Sequence, residues 1–286
     1  SIELMVCISI IAILSGLLMS AAARVRAAAA RVRCQSNLRQ IALALHHLHD
    51  VRGRFPSGNV VVSTNGECRY LGWQFPLLPY IEQNELWRQS MIAVGKDPFP
   101  FHVPPHVGLG TRIPAFNCPL DSRVDETPIL KGHPTAFTSY LGVTGLDNRA
   151  RSGILFPGSR IRIVDVTDGT SNSAMLGERP PSASLLLGWW YAGAGQDGFG
   201  SADMHLGVRE RRRMHPDLLL CNRGPYHFQP GSLDNDCDAL HFWSLHAGGA
   251  NFAFADGSVH FLRYAADQVL PALATRSGGE VASWDE

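Results

Sequence analysis

The first fifty residues constrain the fold of this chain more than any other stretch. Residues 4–23 carry no charged side chain, and a helix of that length can cross the hydrocarbon core of a bilayer. No proline occurs before Pro56, so the helix can continue past the apolar segment. From Leu38 to Leu48, apolar residues recur at the spacing of one helical face. The pattern predicts one long helix whose first half needs lipid or other helices and whose second half lies on a globular head.

One acidic residue, Glu3, stands at the start of the apolar run, and the next acidic residue is Asp50. With Ile2 before it and Leu4-Met5-Val6 after it, Glu3 resembles the glutamate near the N-terminus of type IV pilins and type II secretion pseudopilins. The resemblance implies that Glu3 serves assembly by pairing with the N-terminal amine of a neighbouring subunit. It also implies maturation by a prepilin peptidase, with methylation of the new first residue.

The charge of the chain bears on partners and on topology. Twenty-five basic and 25 acidic residues give a formal net charge of zero, so no global attraction to nucleic acid is expected. Arginines 24, 26, 31 and 33 follow the apolar segment, and such residues normally favour the cytoplasmic side of a membrane. Pilin-like proteins place this end outside. Following that resemblance, we predict a single-pass inner-membrane protein with its head outside the cytoplasm.

Proline and glycine in the segment GRFPSG, residues 53–58, break the helical pattern, so we divide the chain at this point. Residues 1–52 form the pilin-like helix, with a transmembrane stretch at 4–23, and residues 53–286 form the head. The predicted fold class is α+β: a long N-terminal helix packed on a mainly antiparallel β-sheet. Strands are predicted at Val60–Val62, Thr138–Gly145, Arg160–Val166, Ser173–Leu176 and Leu185–Tyr191, and further helices from Leu77 and over Ala265–Thr275.

A β-hairpin is the clearest local prediction in the head. Asp256-Gly257 separates two runs of mostly apolar residues, 250–255 and 258–262, and Asp-Gly between such runs favours a two-residue turn. That turn would set Phe254 opposite Val259 and Phe252 opposite Phe261. All four side chains would then share one inward face.

His246 precedes Asp256-Gly257 with nine residues between, and this spacing resembles the H-x9-DG motif of the DUF1559 family, a group of pilin-like proteins abundant in planctomycetes. The similarity extends over nearly the whole chain. It includes CQSNLRQI from Cys34, LLPYIEQ from Leu77, Asn117-Cys118-Pro119, SYLGVTG from Ser139, and Asp168–Asn172 with Gly177-Glu178-Arg179. The resemblance implies a membrane-anchored protein with a β-rich head.

The remaining candidate sites favour structural roles. Cys221 and Cys237 bracket a polar loop and are candidates for a disulfide, which an exported location permits. No cysteine pair has C-x-x-C spacing, so we predict no metal site and no cofactor. The motif residues His246, Asp256 and Gly257 are expected to be structural. Asp165, Asp168 and Asn172 are expected to form a turn in preference to a calcium loop.

No serine stands in a G-x-S-x-G setting, and we predict no catalytic residues. The favoured hypothesis is a structural subunit like a type II secretion pseudopilin. Its partners would be the inner membrane, like subunits and the assembly machinery. The alternative is a monomeric, membrane-anchored module that binds a solute or a cell-surface polymer outside the cytoplasm.

Overall fold

The computed structural model describes residues 2–63, 67–213 and 215–280. Helix α1 runs without interruption over Ile2–Arg52, α2 covers Asn84–Lys96 and α3 covers Leu270–Leu273. The predicted α+β fold with a long N-terminal helix is confirmed. The strands are β1 Asn59–Ser63, β2 Glu67–Gly72, β3 Ile129–Leu130, β4 His133–Pro134, β5 Tyr140–Val143, β6 Ala174–Glu178, β7 His205–Leu206, β8 Gly249–Phe254 and β9 Val259–Arg263. Short 3-10 helices cover Phe75–Ile81, Val107–Gly110, Pro114–Phe116, Ser122–Val124, Ile163–Asp165, Pro216–Leu218, Asp236–Leu240 and Tyr264–Gln268.

The centre of the head is a five-stranded sheet in the order β7-β5-β6-β8-β9. Its pairs are antiparallel except for β5 with β7, which run parallel. The strands β1 with β2 and β3 with β4 form two separate antiparallel pairs. In the central sheet a short turn joins β8 to β9, whereas 30 residues separate β5 from β6 and 70 separate β6 from β8.

The second half of α1 belongs to the core of the head. Cys34, Leu38, Ile41, Leu45 and Leu48 lie on one helical face and are fully buried against one face of the sheet and the surrounding loops. The opposite sheet face is covered by a second cluster, which includes Leu141, Val143, Phe252, Phe254 and Leu262. Both faces of β8 are buried, and its residues are apolar at nearly every position. A strand with one exposed face would alternate apolar and polar residues.

The described side chains in the first half of α1 are exposed. Within the described residues, one helix is long and apolar enough to cross a membrane, and the apolar part of its span from Ile13 has no buried surface. Ile13, Leu14 and Leu18 expose 60–72% of their area. Large apolar side chains in this state are stable in lipid or against other helices, which is consistent with a single-pass anchor.

The predicted hairpin forms, but its register and turn differ from the prediction. Ala253 pairs with Val259, and the loop holds three residues, Ala255-Asp256-Gly257. The Gly257 N–H donates to the Phe254 carbonyl at 2.9 Å, and Gly257 has φ +86°. This is a tight turn followed by a left-handed glycine, so the expectation of a two-residue turn was wrong.

The one-residue change of register separates the four predicted partners. A strand exposes alternate side chains on opposite faces, so a shift of one residue moves a whole set across the sheet. Phe252 and Phe254 face the second cluster, whereas Val259 belongs to the α1 side. The Phe261 ring lies 3.6 Å from the Arg31 guanidinium of α1. The four residues therefore do not share one inward face.

Two predicted strands are absent from the described residues. Residues 160–166 contain a 3-10 turn, in which the Asp165 carboxylate accepts hydrogen bonds from the Arg162 backbone N–H and guanidinium, both at 2.8 Å. Residues 185–191 contribute an isolated bridge between Phe137 and Trp189. Alternating or apolar sequence forms a strand where a neighbouring strand pairs with it along its length. Residues 188–190 make two backbone hydrogen bonds with residues 136–138, and residues 160–166 join none of the described strands.

Candidate functional site

Four potential ligand side chains from four distant segments meet beneath α1. Cys34 comes from the helix, Cys118 follows the 3-10 helix Pro114–Phe116, Glu178 ends β6, and His246 lies in the loop before β8. All four are buried, with at most 6% of any residue exposed. Their ligand atoms all lie within 4.8 Å of one another. The packing of α1 on the sheet brings the first cysteine to the other three.

The distances define a compact quartet. The Cys34 thiol donates to the Cys118 sulfur at 2.8 Å, and the Cys118 sulfur lies 3.8 Å from His246 Nε2. His246 Nε2 lies 3.5 Å from Glu178 Oε1. Cys34 and Cys118 are free thiols in the structure. The quartet therefore brings two thiols, an imidazole and a carboxylate together within 4.8 Å.

Neighbouring residues hold each member in position. The Glu178 carboxylate accepts the Asn251 backbone N–H at 2.7 Å and the Asn251 side-chain amide at 3.0 Å. The Cys118 N–H donates to the Ser139 hydroxyl at 3.0 Å, and Asn37 on α1 donates to the Asn117 carbonyl at 3.0 Å. The last of these bonds ties the helix directly to the segment that carries Cys118.

Mutual hydrogen bonding sets the protonation of the quartet. The bond to Cys118, together with burial, raises the pKa of the Cys34 thiol far above its ordinary value. The same bond lowers the pKa of Cys118, against the opposing effect of burial. Burial alone would lower the pKa of His246, but hydrogen bonds to Cys118 and Glu178 raise it to about 9. These shifts favour the thiolate form of Cys118 and the protonated form of the neighbouring imidazole.

Such a quartet has two chemical capabilities. Thiolate, imidazole and carboxylate are the usual protein ligands of zinc. Two thiols in contact could also oxidise to a disulfide in an oxidising compartment. Either chemistry would join Cys34 on α1 to a residue of the head, and it would therefore stabilise the contact between the helix and the head.

The H-x9-DG residues lie in two different places. His246 is in the quartet, whereas Asp256 is at the hairpin tip, where its carboxylate accepts the Ser258 N–H at 2.8 Å. Gly257 provides the left-handed turn position. Glu3 is exposed on the first turn of α1. A disulfide joins Cys221 to Cys237 and closes the loop between them.

Sequence reasoning missed Cys34, Cys118 and Glu178 as members of a site. The prediction of no metal site rested on local cysteine spacing, but Cys118 follows Cys34 by 84 positions and Glu178 follows Cys118 by 60. Each member of the quartet lies in a segment that resembles the DUF1559 family, but so do Asp168 and Asp256, which lie elsewhere in the head. The resemblance alone therefore could not single out these four residues.

The suggested calcium ligands serve as turn residues. Asp165 pairs with Arg162, and the Asp168 carboxylate accepts the backbone N–H groups of Gly278 and Gly279 at 2.6 and 2.8 Å. The Asn172 side chain donates to the Asp168 carbonyl at 3.3 Å. These contacts orient the polar groups toward the chain's own backbone.

A second feature is a cleft of about 780 Å³ on the head. Its described lining residues include five arginines and two aspartates: Arg149, Arg211, Arg212, Arg213, Arg223, Asp147 and Asp197. Both aspartates accept nearby backbone N–H groups, at 2.8–3.2 Å. The arginines therefore dominate the charge of this cleft, which suits an anionic ligand.

The comparison with known proteins gives one match. The family described as SBP_bac_10, protein of unknown function (DUF1559), matches residues 23–269. No curated protein and no solved structure matches the chain. The matched range includes all four residues of the quartet and the second half of α1.

Proposed function

This chain belongs to the DUF1559 family of proteins of unknown function, and from that premise we propose that it is a cell-envelope subunit that assembles through its N-terminal helix. In this proposal it is a structural protein, like a type II secretion pseudopilin, rather than an enzyme. The helix holds the protein in the inner membrane, with its head outside the cytoplasm, until like subunits and the assembly machinery gather it into a helical bundle. A prepilin peptidase matures the chain.

The observation that carries the proposal is the contrast between the two halves of α1. One face of its second half is buried in the head, while the described side chains of its first half are exposed, among them Ile13, Leu14 and Leu18. The 20 uncharged residues 4–23 span about 30 Å as a helix, which matches the hydrocarbon thickness of a bilayer. Such a surface is stable in lipid, and it is equally suited to packing against copies of itself.

Glu3 distinguishes simple anchoring from assembly. A carboxylate at the membrane edge can remain among the lipid headgroups with water around it. In a bundle of helices the same carboxylate loses that water, and an opposite charge has to offset the cost. An N-terminal amine of a neighbouring subunit would provide that charge and would set the axial register between subunits.

Cysteine crosslinking in native membranes tests the proposal. Single cysteines at Leu14 and Leu18, in a Cys7→Ala background, should yield crosslinked dimers in the parent and few in Glu3→Ala. Expression and membrane fractionation should be equal in both. Asp50→Ala is the matched control, because Asp50 is an exposed acid near the other end of the same helix and should leave crosslinking intact. Equal crosslinking with and without Glu3, or none in the parent, would refute assembly through the helix.

The arginine-rich cleft supports a second candidate function, a membrane-anchored module that binds an anionic polymer. Arg211 and Arg223 are exposed at this cleft. Binding of labelled dextran sulfate to the full chain in detergent should fall on double charge reversal, Arg211→Glu with Arg223→Glu. Neutral dextran is the control and should not bind. If dextran sulfate binds equally to the double variant, the cleft is not the binding site.

A further inference from the structure

We propose that Cys34, Cys118, Glu178 and His246 form a structural zinc site that fastens α1 to the head. This inference is independent of the proposed assembly function, because a zinc site would stabilise the head in an assembling subunit and in a monomeric binding module alike. It rests on the donor set, on the geometry and on the surrounding hydrogen bonds.

The donor set is of the kind that selects zinc. Thiolates and imidazole favour borderline and soft cations, and four protein ligands without an open position are typical of structural zinc. Hard cations such as calcium and magnesium require several oxygen ligands, and this quartet offers one carboxylate. In the zinc-bound state the two thiolates and the Glu178 carboxylate carry three negative charges, and the His246 imidazole is neutral. The ligands therefore exceed the two positive charges of Zn²⁺ by one negative charge.

Two of the distances within the quartet match the edges of a tetrahedral zinc site. Zinc–ligand distances of about 2.0–2.3 Å correspond to ligand–ligand edges of roughly 3.3–3.8 Å. The edge from Glu178 to His246 is 3.5 Å and the edge from His246 to Cys118 is 3.8 Å, so both lie in this range. The two sulfurs are 2.8 Å apart and share a proton, so they would move apart by about 1 Å when the metal replaces it.

The surroundings provide the second set of contacts that zinc sites require. Asn251 holds Glu178 through two hydrogen bonds. The Tyr140 hydroxyl donates to Cys34, and the Leu120 backbone N–H donates to Cys118. These donors would lessen the excess negative charge on the ligands. On binding, Zn²⁺ would displace the Cys34 thiol proton and the His246 imidazolium proton, and both protons would pass to solvent.

A disulfide between Cys34 and Cys118 is the competing outcome. It would use the two sulfur atoms only. Glu178 and His246 would then remain as a buried ion pair, and the contact of His246 with the Cys118 sulfur would have no role. Zinc uses all four groups, and for this reason we favour it.

Cobalt substitution tests the inference on the full chain in detergent. After reduction and chelation of bound metal, one equivalent of Co²⁺ should produce a thiolate-to-cobalt charge-transfer band and the visible bands of tetrahedral cobalt. Zn²⁺ should remove both sets of bands by displacement. Cys118→Ser and His246→Ala should lose the bands. Glu178→Gln, which preserves shape, should weaken zinc affinity by about tenfold or more.

Cys68→Ser is the matched control, because Cys68 is a buried free cysteine of the same core outside the quartet, and it should behave like the parent. Metal analysis of the parent as purified should find one zinc per chain. This measurement needs no variant, so it tests the inference even if the substituted chains fail to fold. The inference is overturned if the parent takes up no cobalt after reduction, or if Cys118→Ser keeps the same spectrum. It is also overturned if peptide mapping finds Cys34 joined to Cys118 in protein isolated from the envelope.

Discussion

The Glu178 carboxylate accepts two hydrogen bonds from a single residue, Asn251, at 2.7 Å from the backbone N–H and 3.0 Å from the side-chain amide. Glu178 ends β6 and Asn251 lies on β8, and these two strands are neighbours in the central sheet. Both residues are buried. The sheet itself therefore orients the carboxylate toward His246 and the two thiols.

This relationship predicts how Asn251 variants behave. Asn251→Ala removes one hydrogen bond to a buried charged group, and we expect it to lower the free energy of unfolding by about 1–3 kcal/mol. Asn251→Asp sets a second carboxylate beside Glu178, and we expect a loss of roughly 3 kcal/mol or more. Thermal or urea unfolding with a chelator present measures both. The control is Asn222→Asp, the same change at an exposed position. If both variants were as stable as the parent, the contact between Glu178 and Asn251 would not contribute this free energy.

The position of α1 in the core predicts where the chain can be truncated. A chain that begins at Ala28 keeps Leu38, Ile41, Leu45 and Leu48, and we expect it to be soluble, monomeric and cooperative in thermal unfolding. A chain that begins at Arg54 loses these four buried side chains, each of which contributes about 1.5–3 kcal/mol. That total is comparable with a typical net stability of about 5–15 kcal/mol, so we expect no cooperative fold. Cooperative unfolding of the shorter chain would show that α1 is dispensable for the core.

The turn at Gly257 gives a prediction about backbone conformation. A Cβ added here would meet its nearest described neighbour, a His46 ring atom, at 3.7 Å, so space is available. The φ of +86° is the obstacle, because β-branched residues rarely adopt it. We expect Gly257→Val to lower the free energy of unfolding by about 1–3 kcal/mol. Gly257→Asn should cost less, since asparagine tolerates left-handed conformations. Equal losses for both variants would argue against a left-handed residue at this position.

Glu210 predicts a pH dependence of stability. Burial raises the pKa of Glu210 from an ordinary value of 4.5 to about 7, although it accepts the Gly207 and Arg211 N–H groups at 3.0 Å. The folded state therefore keeps a proton that the unfolded state releases, and stability falls as pH rises from 4.5 to 7. We expect Glu210→Gln to remove roughly 2–3 kcal/mol of that fall.

Unfolding measured at several pH values tests this prediction. The difference in unfolding free energy between Glu210→Gln and the parent should shift in favour of the variant between pH 4.5 and 7.5. Glu85→Gln, at an exposed position on α2, should leave the pH profile unchanged. A constant difference between the Glu210 variant and the parent across this range would contradict the prediction.

Several features could be predicted from the sequence because each depends on residues close together in the chain. The apolar run that begins after Glu3 and the apolar face from Leu38 to Leu48 identify α1 by periodicity alone. Asp256-Gly257 identifies a hairpin by the conformation that glycine permits. The existence of the helix and of the hairpin follows from these local patterns, whereas the length of the turn does not.

Tertiary structure alone decided the hairpin register, the fate of residues 160–166 and the site beneath α1. The register depends on whether the turn holds two residues or three. A shift of one residue in the pairing places Val259 on the opposite face of the sheet from Phe254. Residues 160–166 have strand-like alternation, but none of the described strands pairs with them. Cys34, Cys118, Glu178 and His246 meet because α1 packs across the central sheet. That contact depends on shape and burial summed over the whole core, which no local pattern of residues records.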